Sequence, residues 1–340
     1  MQFRSVAKSW KSLIDSSRFV SVYNLRQIHP HIFVMYFLPG YLGLRCVSIF
    51  YGSNFPNNMV DLSEILPDSA KQSTRLTLVG SCQGLLCLDS GSSAIIWNPW
   101  IRKSVTINFP DSDYRKYERV VGFGVCPKTI DPKLVHFTFS WNWLENKSWK
   151  VEVYSLSPRF WRSRSFSKIS DLLCESIELS SDSECVDGFI YWCASNKDVP
   201  NRREVIISFD LTNEEFGVIY LPDNLARHSI LYLSKYRKSL VLLPDDYNTY
   251  VHDVWIMKGG NTKLFKRLFT IKSFDRLQPM AISYNGEVVL KITQYNGNYY
   301  EKSIKTYEPS LKRFKWTAVT GTLGVNCMSS YMESMLLHDY

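Results

Sequence analysis

The side chains able to do covalent or acid–base chemistry in this 340-residue chain are few and poorly grouped. Adjacent carboxylates stand at Glu214-Glu215 and Asp245-Asp246. Two such groups can share a proton as general acid and base, but both pairs sit beside turn-forming residues, which predicts solvated turn tips. The histidines are His29, His31, His136, His228, His252 and His338. The first two are a spacing-two pair and the rest are scattered, with no His-Glu-x-x-His spacing to bring two imidazoles onto one metal. Eight cysteines occur (46, 82, 87, 126, 174, 185, 193, 327) without any Cys-x-x-Cys pair, so a structural zinc has no support. Several lie in apolar runs such as LLCL and YWCA, as buried reduced thiols do. The opening MQFRSVAKSWKS has no uninterrupted apolar core of the secretory kind, which argues against disulfides. Gly122-Phe123-Gly124 is a fragment of a dinucleotide fingerprint without its later glycine or following helix, and predicts turn glycines instead. Neither a Gly-x-Ser-x-Gly elbow nor a Gly-x-x-x-x-Gly-Lys phosphate loop is present. Asn146-Lys147-Ser148 is a glycosylation sequon in form only. The expectation is a chain with no catalytic residue, no metal and no cofactor.

What remains is recognition. Three stretches are unusually aromatic: Trp141-Asn142-Trp143 through Trp149; Asp245 to Tyr250, with Tyr247 and Tyr250; and Tyr295 to Tyr300, with Tyr299. Exposed Trp and Tyr give large contact area at low entropic cost, which suits protein interfaces. The same rings could instead staple long hairpins together. Forty Lys and Arg against 32 Asp and Glu give a net charge of +8. Such an excess can draw nucleic acid or acidic partners. The densest basic runs, Arg159–Arg164 and Lys312–Lys315, mix bases with aromatics at alternating positions. That pattern predicts solvated strand faces and no nucleic-acid site. The apolar run Ile32–Leu44 is 13 residues long and broken by Pro39-Gly40. A membrane span needs about 20, so two strands joined by a turn are expected, in a soluble protein of the cytoplasm or nucleus.

These residues need elements to hold them. Phe3, Val6, Trp10 and Leu13 recur at spacings of three and four, which predicts one helix over the first twenty residues, with Arg4, Lys8 and Lys11 toward water. Past residue 30 the helical period gives way to short apolar-aromatic runs between Gly, Pro, Asn, Asp and Ser clusters, the mark of an all-β chain. One strand type recurs as GLLCL from Gly84, KLVHFTF from Lys133, GFIYW from Gly188, SLVLL from Ser239 and GEVVL from Gly286, at intervals of 49, 55, 51 and 47 residues. A second closes on a turn: IIWNP at 95–99, VEVYSLSP at 151–158, VIISFDLTN at 205–213, VWIMKGG at 254–260 and IKTYEPS at 304–310. A third, alternating strand follows each turn: RKSVTINFP, RFWRSRSF, EFGVIYLP, KLFKRLFTI and RFKWTAV. Units near 50 residues fit a kelch-like β-propeller, in which small sheets bury one another's faces. Five units are visible between 80 and 321, and residues 31–60 could supply a sixth or a closing strand. An irregular pair of β-sandwiches is the other fold considered.

Together these segments resemble plant F-box proteins with a kelch-like F-box-associated domain. Phe3-Arg4-Ser5-Val6-Ala7-Lys8-Ser9-Trp10-Lys11-Ser12-Leu13-Ile14 resembles the closing helix of an F-box. Val79-Gly80-Ser81-Cys82-Gln83-Gly84-Leu85-Leu86-Cys87-Leu88 resembles the family's glycine-serine-cysteine signature. Trp97-Asn98-Pro99, Arg102-Lys103, Gly122-Phe123-Gly124, Val153-Tyr154-Ser155-Leu156 with Trp161-Arg162, Val186 to Trp192, Ser208-Phe209-Asp210-Leu211 and Val254 to Lys258 follow in order. The resemblance implies an F-box remnant at 1–20 and a propeller-like domain at 31–325. It implies the role of substrate-recognition subunit of a cullin-based ubiquitin ligase. Phe3, Val6, Trp10, Leu13 and Ile14 would face a Skp-type adaptor bound to cullin, and the β-domain would hold an unknown target protein. The resemblance begins only at Phe3, within the closing helix, so either the gene model is truncated or a working F-box is lacking; a binding protein that joins no ligase is an alternative, and a propeller glycan hydrolase is a second. Membrane and nucleic-acid partners are not expected.

Overall fold

The computed structural model describes residues 7–14, 19, 31–37, 44–50, 59–73, 75–110, 117–140, 149–164, 177–196, 204–226, 230–245, 251–258, 264–273, 276–283, 285–295, 300–321 and 324–337. The chain is nearly all β. It forms six four-stranded antiparallel sheets, the blade unit of a β-propeller, in two compact units. One unit comprises residues 1–112 and 324–340, the other residues 113–323.

The first unit holds helix α1 (Lys8–Ile14) and two sheets. One sheet contains β1 (His31–Phe37), β2 (Leu44–Phe50), β3 (Met59–Asp61) and β24 (Gly324–Tyr331), in the order β24-β1-β2-β3. The apolar run at 32–44 is therefore a strand pair, with Phe37 opposite Leu44. Residues 31–60 do seed a sixth sheet, but its first strand comes from the other end of the chain. The fold thus runs past the expected boundary at 325, and Met335, Leu336 and Leu337 are buried. The other sheet contains β4 (Thr77–Cys82), β5 (Leu85–Asp89), β6 (Ser93–Asn98) and β7 (Lys103–Asn108). Phe33, Met35, Leu86, Leu88, Ile95 and Trp97 pack in one core, joined by Ala70 of the short helix α2 (Asp68–Lys71).

The second unit holds four sheets in simple strand order. They contain β8 (Tyr117–Val125), β9 (Pro132–Ser140), β10 (Trp149–Ser155) and β11 (Phe160–Ser163); then β12 (Ile177–Val186), β13 (Phe189–Asn196), β14 (Glu204–Asp210) and β15 (Glu215–Tyr220). Next come β16 (Ile230–Tyr236), β17 (Ser239–Asp245), β18 (Val251–Lys258) and β19 (Leu264–Lys272), and last β20 (Arg276–Ile282), β21 (Val288–Tyr295), β22 (Tyr300–Glu308) and β23 (Arg313–Gly321). A short helix, α3 (Asp223–Ala226), links the second and third of these sheets and buries Leu225 and Ala226.

The three recurring strand types are the second, third and fourth strands of five of the six sheets. Second and third strands that are covered on both faces, β5 and β6 above all, read as continuous apolar runs. Leu85 to Leu88 and Ala94 to Trp97 are all fully buried. Fourth strands lie at sheet edges and alternate instead, as in β15.

The turns repeat as faithfully as the strands. First and second strands are joined by Gln83-Gly84 and Asp187-Gly188, all four residues at positive φ. That geometry matches the right-handed twist of a tight hairpin. The residue just before the fourth strand is left-handed in four sheets: Arg102 (φ 57°), Arg159 (58°), Glu214 (55°) and Lys312 (49°). Two of these turns are held by equivalent side chains. Asn98 Oδ1 accepts from the Trp100 amide at 3.0 Å, and Asp210 Oδ1 accepts from the Thr212 amide at 2.7 Å.

Candidate functional site

On α1, Trp10 and Leu13 are one helical turn apart and therefore share a face. Their side chains are 49% and 57% exposed. Ile14 is the last residue of the helix, and Phe3 and Val6 lie outside the described residues. Both side chains are thus largely exposed on the described part of the helix.

The aromatic stretches fall at one recurrent place. Each connects the second strand of a sheet to the third: β9 to β10, β17 to β18, and β21 to β22. Trp141, Trp143, Tyr247, Tyr250 and Tyr299 lie outside the described residues. Tyr295 and Tyr300 are backbone partners at the mouth of their hairpin. Trp149 is not a loop residue: it opens β10, with its ring 5.0 Å from that of Phe139 and edge-on to Phe137 at 6.3 Å. Its amphipathic ring finds more apolar area on the sheet than a loop tip would offer.

The most concentrated charge in the second unit was not legible as a site. Glu214 is no solvated turn tip, because its left-handed backbone turns the carboxylate back onto the neighbouring sheet. Oε1 accepts from Lys133 Nζ and from Arg162 Nη2, each at 2.7 Å, and Oε2 accepts from Arg164 Nη2. Lys133 Nζ also donates to the Leu211 carbonyl at 2.8 Å, and Arg162 Nη2 to Ser155 Oγ at 2.8 Å. The Glu214 side chain is 9% exposed. Burial by itself would raise its pKa, but the bonds from Lys133 and Arg164, with the Lys133 and Arg162 charges, outweigh that and hold it below the ordinary value. Arg159–Arg164 is accordingly not a freely solvated face. Glu215, the neighbour of Glu214, is exposed as expected. Asp245 ends β17, and Asp246 lies outside the described residues.

The described histidines and the cysteines at 46, 82, 87, 126, 185 and 193 lie inside the fold. His136 and His252 are buried. His31 is buried with Nδ1 2.9 Å from Ser48 Oγ and Nε2 3.3 Å from Glu333 Oε1, while Tyr331 donates to Ser48 Oγ at 2.9 Å. Cys46, Cys82, Cys87, Cys126, Cys185 and Cys193 are free and buried, and burial pushes the Cys87 and Cys193 thiols up, away from reactivity. Among the described residues no group of three His, Cys, Asp or Glu is placed to hold a metal, and no helix is long and apolar enough to cross a membrane. Asp182 and Glu184 lie two apart on β12; Asp182 is exposed, while burial raises the Glu184 carboxyl. Glu184 is ion-paired with Lys235 of the next sheet at 3.3 Å. Gly122 and Gly124 are not turn glycines: they lie within β8, where a β-carbon would run into the Trp192 ring and into Leu211 respectively. Glycine there lets the next sheet pack close.

Antiparallel four-stranded blades with tight hairpins at equivalent places define the propeller class. The family model for the F-box associated beta propeller domain matches residues 43–334, and the chain belongs to that family. Among curated relatives, the putative F-box protein At4g38870 of Arabidopsis thaliana is 25% identical over 307 residues, covering 87% of this chain and 68% of that protein. The putative F-box protein At1g47730 of the same plant is 25% identical, covering 76% of this chain and 64% of the relative. The F-box/kelch-repeat protein At3g23880, also of Arabidopsis thaliana, is 25% identical with 76% and 68% covered. The chain thus spans about two thirds of the length of the relatives it matches. Among solved structures, an oligogalacturonate lyase in complex with manganese matches at TM-score 0.47 and 10% identity, covering 80% of this chain and 70% of that one.

Proposed function

We propose that this chain is the target-binding part of a cullin-based ubiquitin ligase subunit. The match of the F-box associated beta propeller family across residues 43–334 carries the reading, and relatives named as F-box proteins support it. In this role α1 presents Trp10 and Leu13 to a Skp-type adaptor, and the blades hold a target protein. The aromatic residues of the second-to-third-strand connections, Trp141, Trp143, Tyr247, Tyr250, Tyr295, Tyr299 and Tyr300, supply target contacts. Trp149 is withdrawn from that set because its ring packs on its own sheet. Such a subunit needs no catalytic residue. It raises the effective concentration of a target beside an activated ubiquitin carrier, and proximity supplies the rate.

The test is affinity capture from plant extract with this chain, and with a version carrying the front half of an F-box from a relative. Recovery of adaptor and cullin by at least the extended version, together with a shared set of further proteins, is expected. Failure of both versions to recover adaptor would overturn ligase membership and leave a binding module.

A further inference from the structure

The cation cluster around Glu214 holds more positive charge than its one carboxylate balances. Lys133, Arg162 and Arg164 all bond Glu214, the single carboxylate paired with them among the described residues, which leaves a surplus of two positive charges. Donors are in surplus too. Both arginines use Nη2 on Glu214, and neither Nη1 makes a hydrogen bond among the described residues. Both Nε–H groups are buried without an acceptor. Unspent donors in a partly dry site are costly until an acceptor arrives. Lys133 is nearly buried, but the Arg162 and Arg164 side chains are 30% and 35% exposed, so a ligand can reach their terminal nitrogens.

Position adds to charge. Arg162 lies on β11, the edge strand of its sheet, and Arg164 follows directly. Phe160 on the same strand is 48% exposed, and its ring lies 5.3 Å from the Arg162 guanidinium carbon. An edge strand with an exposed ring beside two arginines suits an extended polypeptide. We propose that Lys133, Arg162 and Arg164 form an oxyanion site for a phosphomonoester carried by a bound polypeptide, with Glu214 holding the three cations in register. A phosphomonoester carries about −1.5 to −2 charges at neutral pH and three strong acceptor oxygens, which matches the surplus. A single carboxylate would leave one cation unbalanced. Guanidinium forks favour such planar, two-point recognition. The target-binding reading of the domain supplies the source of the phosphoryl group, while the site stands on its own geometry.

The test is calorimetric titration of the full chain at constant ionic strength with three probes: the pentapeptide Ala-Ala-phosphoserine-Ala-Ala, its unphosphorylated form, and inorganic phosphate. The phosphopeptide should bind tighter than inorganic phosphate, and the unphosphorylated peptide should not bind. Arg162→Gln with Arg164→Gln should weaken the phosphopeptide by about tenfold or more, the worth of charge-assisted hydrogen bonds. Glu214→Gln should tighten it severalfold by removing a competing charge. If circular dichroism shows the double variant unfolded, Arg164→Gln alone, at the more exposed position, should still weaken binding severalfold. Equal binding by wild type and a folded arginine variant would overturn the site. Binding of inorganic phosphate with no preference for the peptide would overturn the polypeptide source. The titration uses the chain alone, so adaptor capture can fail without touching it.

Discussion

Asn98 donates through Nδ2 to the carbonyl oxygen of Ser334 at 2.9 Å, joining positions 236 residues apart. The same nitrogen donates to the Leu336 carbonyl at 2.8 Å, while Oδ1 holds the turn that follows β6. One fully buried amide therefore both shapes a hairpin and ties down the C-terminal segment. Asn98→Ala strands two buried carbonyls and should cost about 2–4 kcal/mol. Asn98→Asp keeps the turn acceptor but sets a carboxylate against those carbonyls, and should be no better than alanine. Chemical denaturation of the three proteins measures both effects; an aspartate variant as stable as wild type would assign the side chain to the turn alone.

Glu214 sets an acid limit on stability. Its folded pKa lies below the ordinary 4.5. A depressed carboxyl contributes stability that is present above the unfolded value and is lost as pH falls through the folded one. The melting temperature of wild type should therefore exceed that of Glu214→Ala by several degrees at neutral pH, with the gap closing as pH drops below about 4.5. A gap independent of pH would show that packing, not charge, is what the substitution removes.

Two tyrosines set the alkaline limit. Burial, with the nearby Asp187, Cys185 and Asp210 charges adding, pushes Tyr191 up to about 12. Burial also raises Tyr331 to about 12, with the Ser48 bond opposing and the Glu333 charge adding. A raised folded pKa means stability that is full below the unfolded value near 10 and is lost as pH rises toward 12. Absorbance at 295 nm should show these two phenols ionising late, together with loss of circular dichroism. Ionisation of every tyrosine near pH 10 with the fold intact would contradict it.

Gly122 is a packing requirement rather than a turn residue. Its missing β-carbon is the space filled by the Trp192 ring, which also packs edge-on to Phe137 at 5.2 Å. Gly122→Ala should destabilise the chain by about 1–3 kcal/mol through overpacking. Pairing it with Trp192→Phe should recover part of the loss, as a double-mutant cycle would show.

Legibility followed burial. Strands covered on both faces, such as β5, β6, β13 and β17, write their position as unbroken apolar runs, and turn residues punctuate them. First strands do not. β12 reads IELSSDSECV, with Ser181 and Asp182 exposed and a register shift between Leu179 and Ser183, so neither alternation nor apolar density marks it. β24, GVNCMSSY, pairs with a strand near the other end of the chain, and no local pattern encodes a partner that far away. The cation cluster was hidden for a related reason. Adjacent glutamates beside a turn usually face water. Only the backbone angle at Glu214 and the placement of Lys133 on another sheet convert that turn into the centre of a charge cluster.

β24 has a consequence for biosynthesis. β1 is translated before the other described strands, yet its neighbour β24 is translated after all of them. Until then the nascent chain carries an open, sticky strand edge, which a chaperone would need to shield. A premature stop a few codons short of residue 324 would thus remove one strand and leave its distant sequence partner, β1, with an open edge.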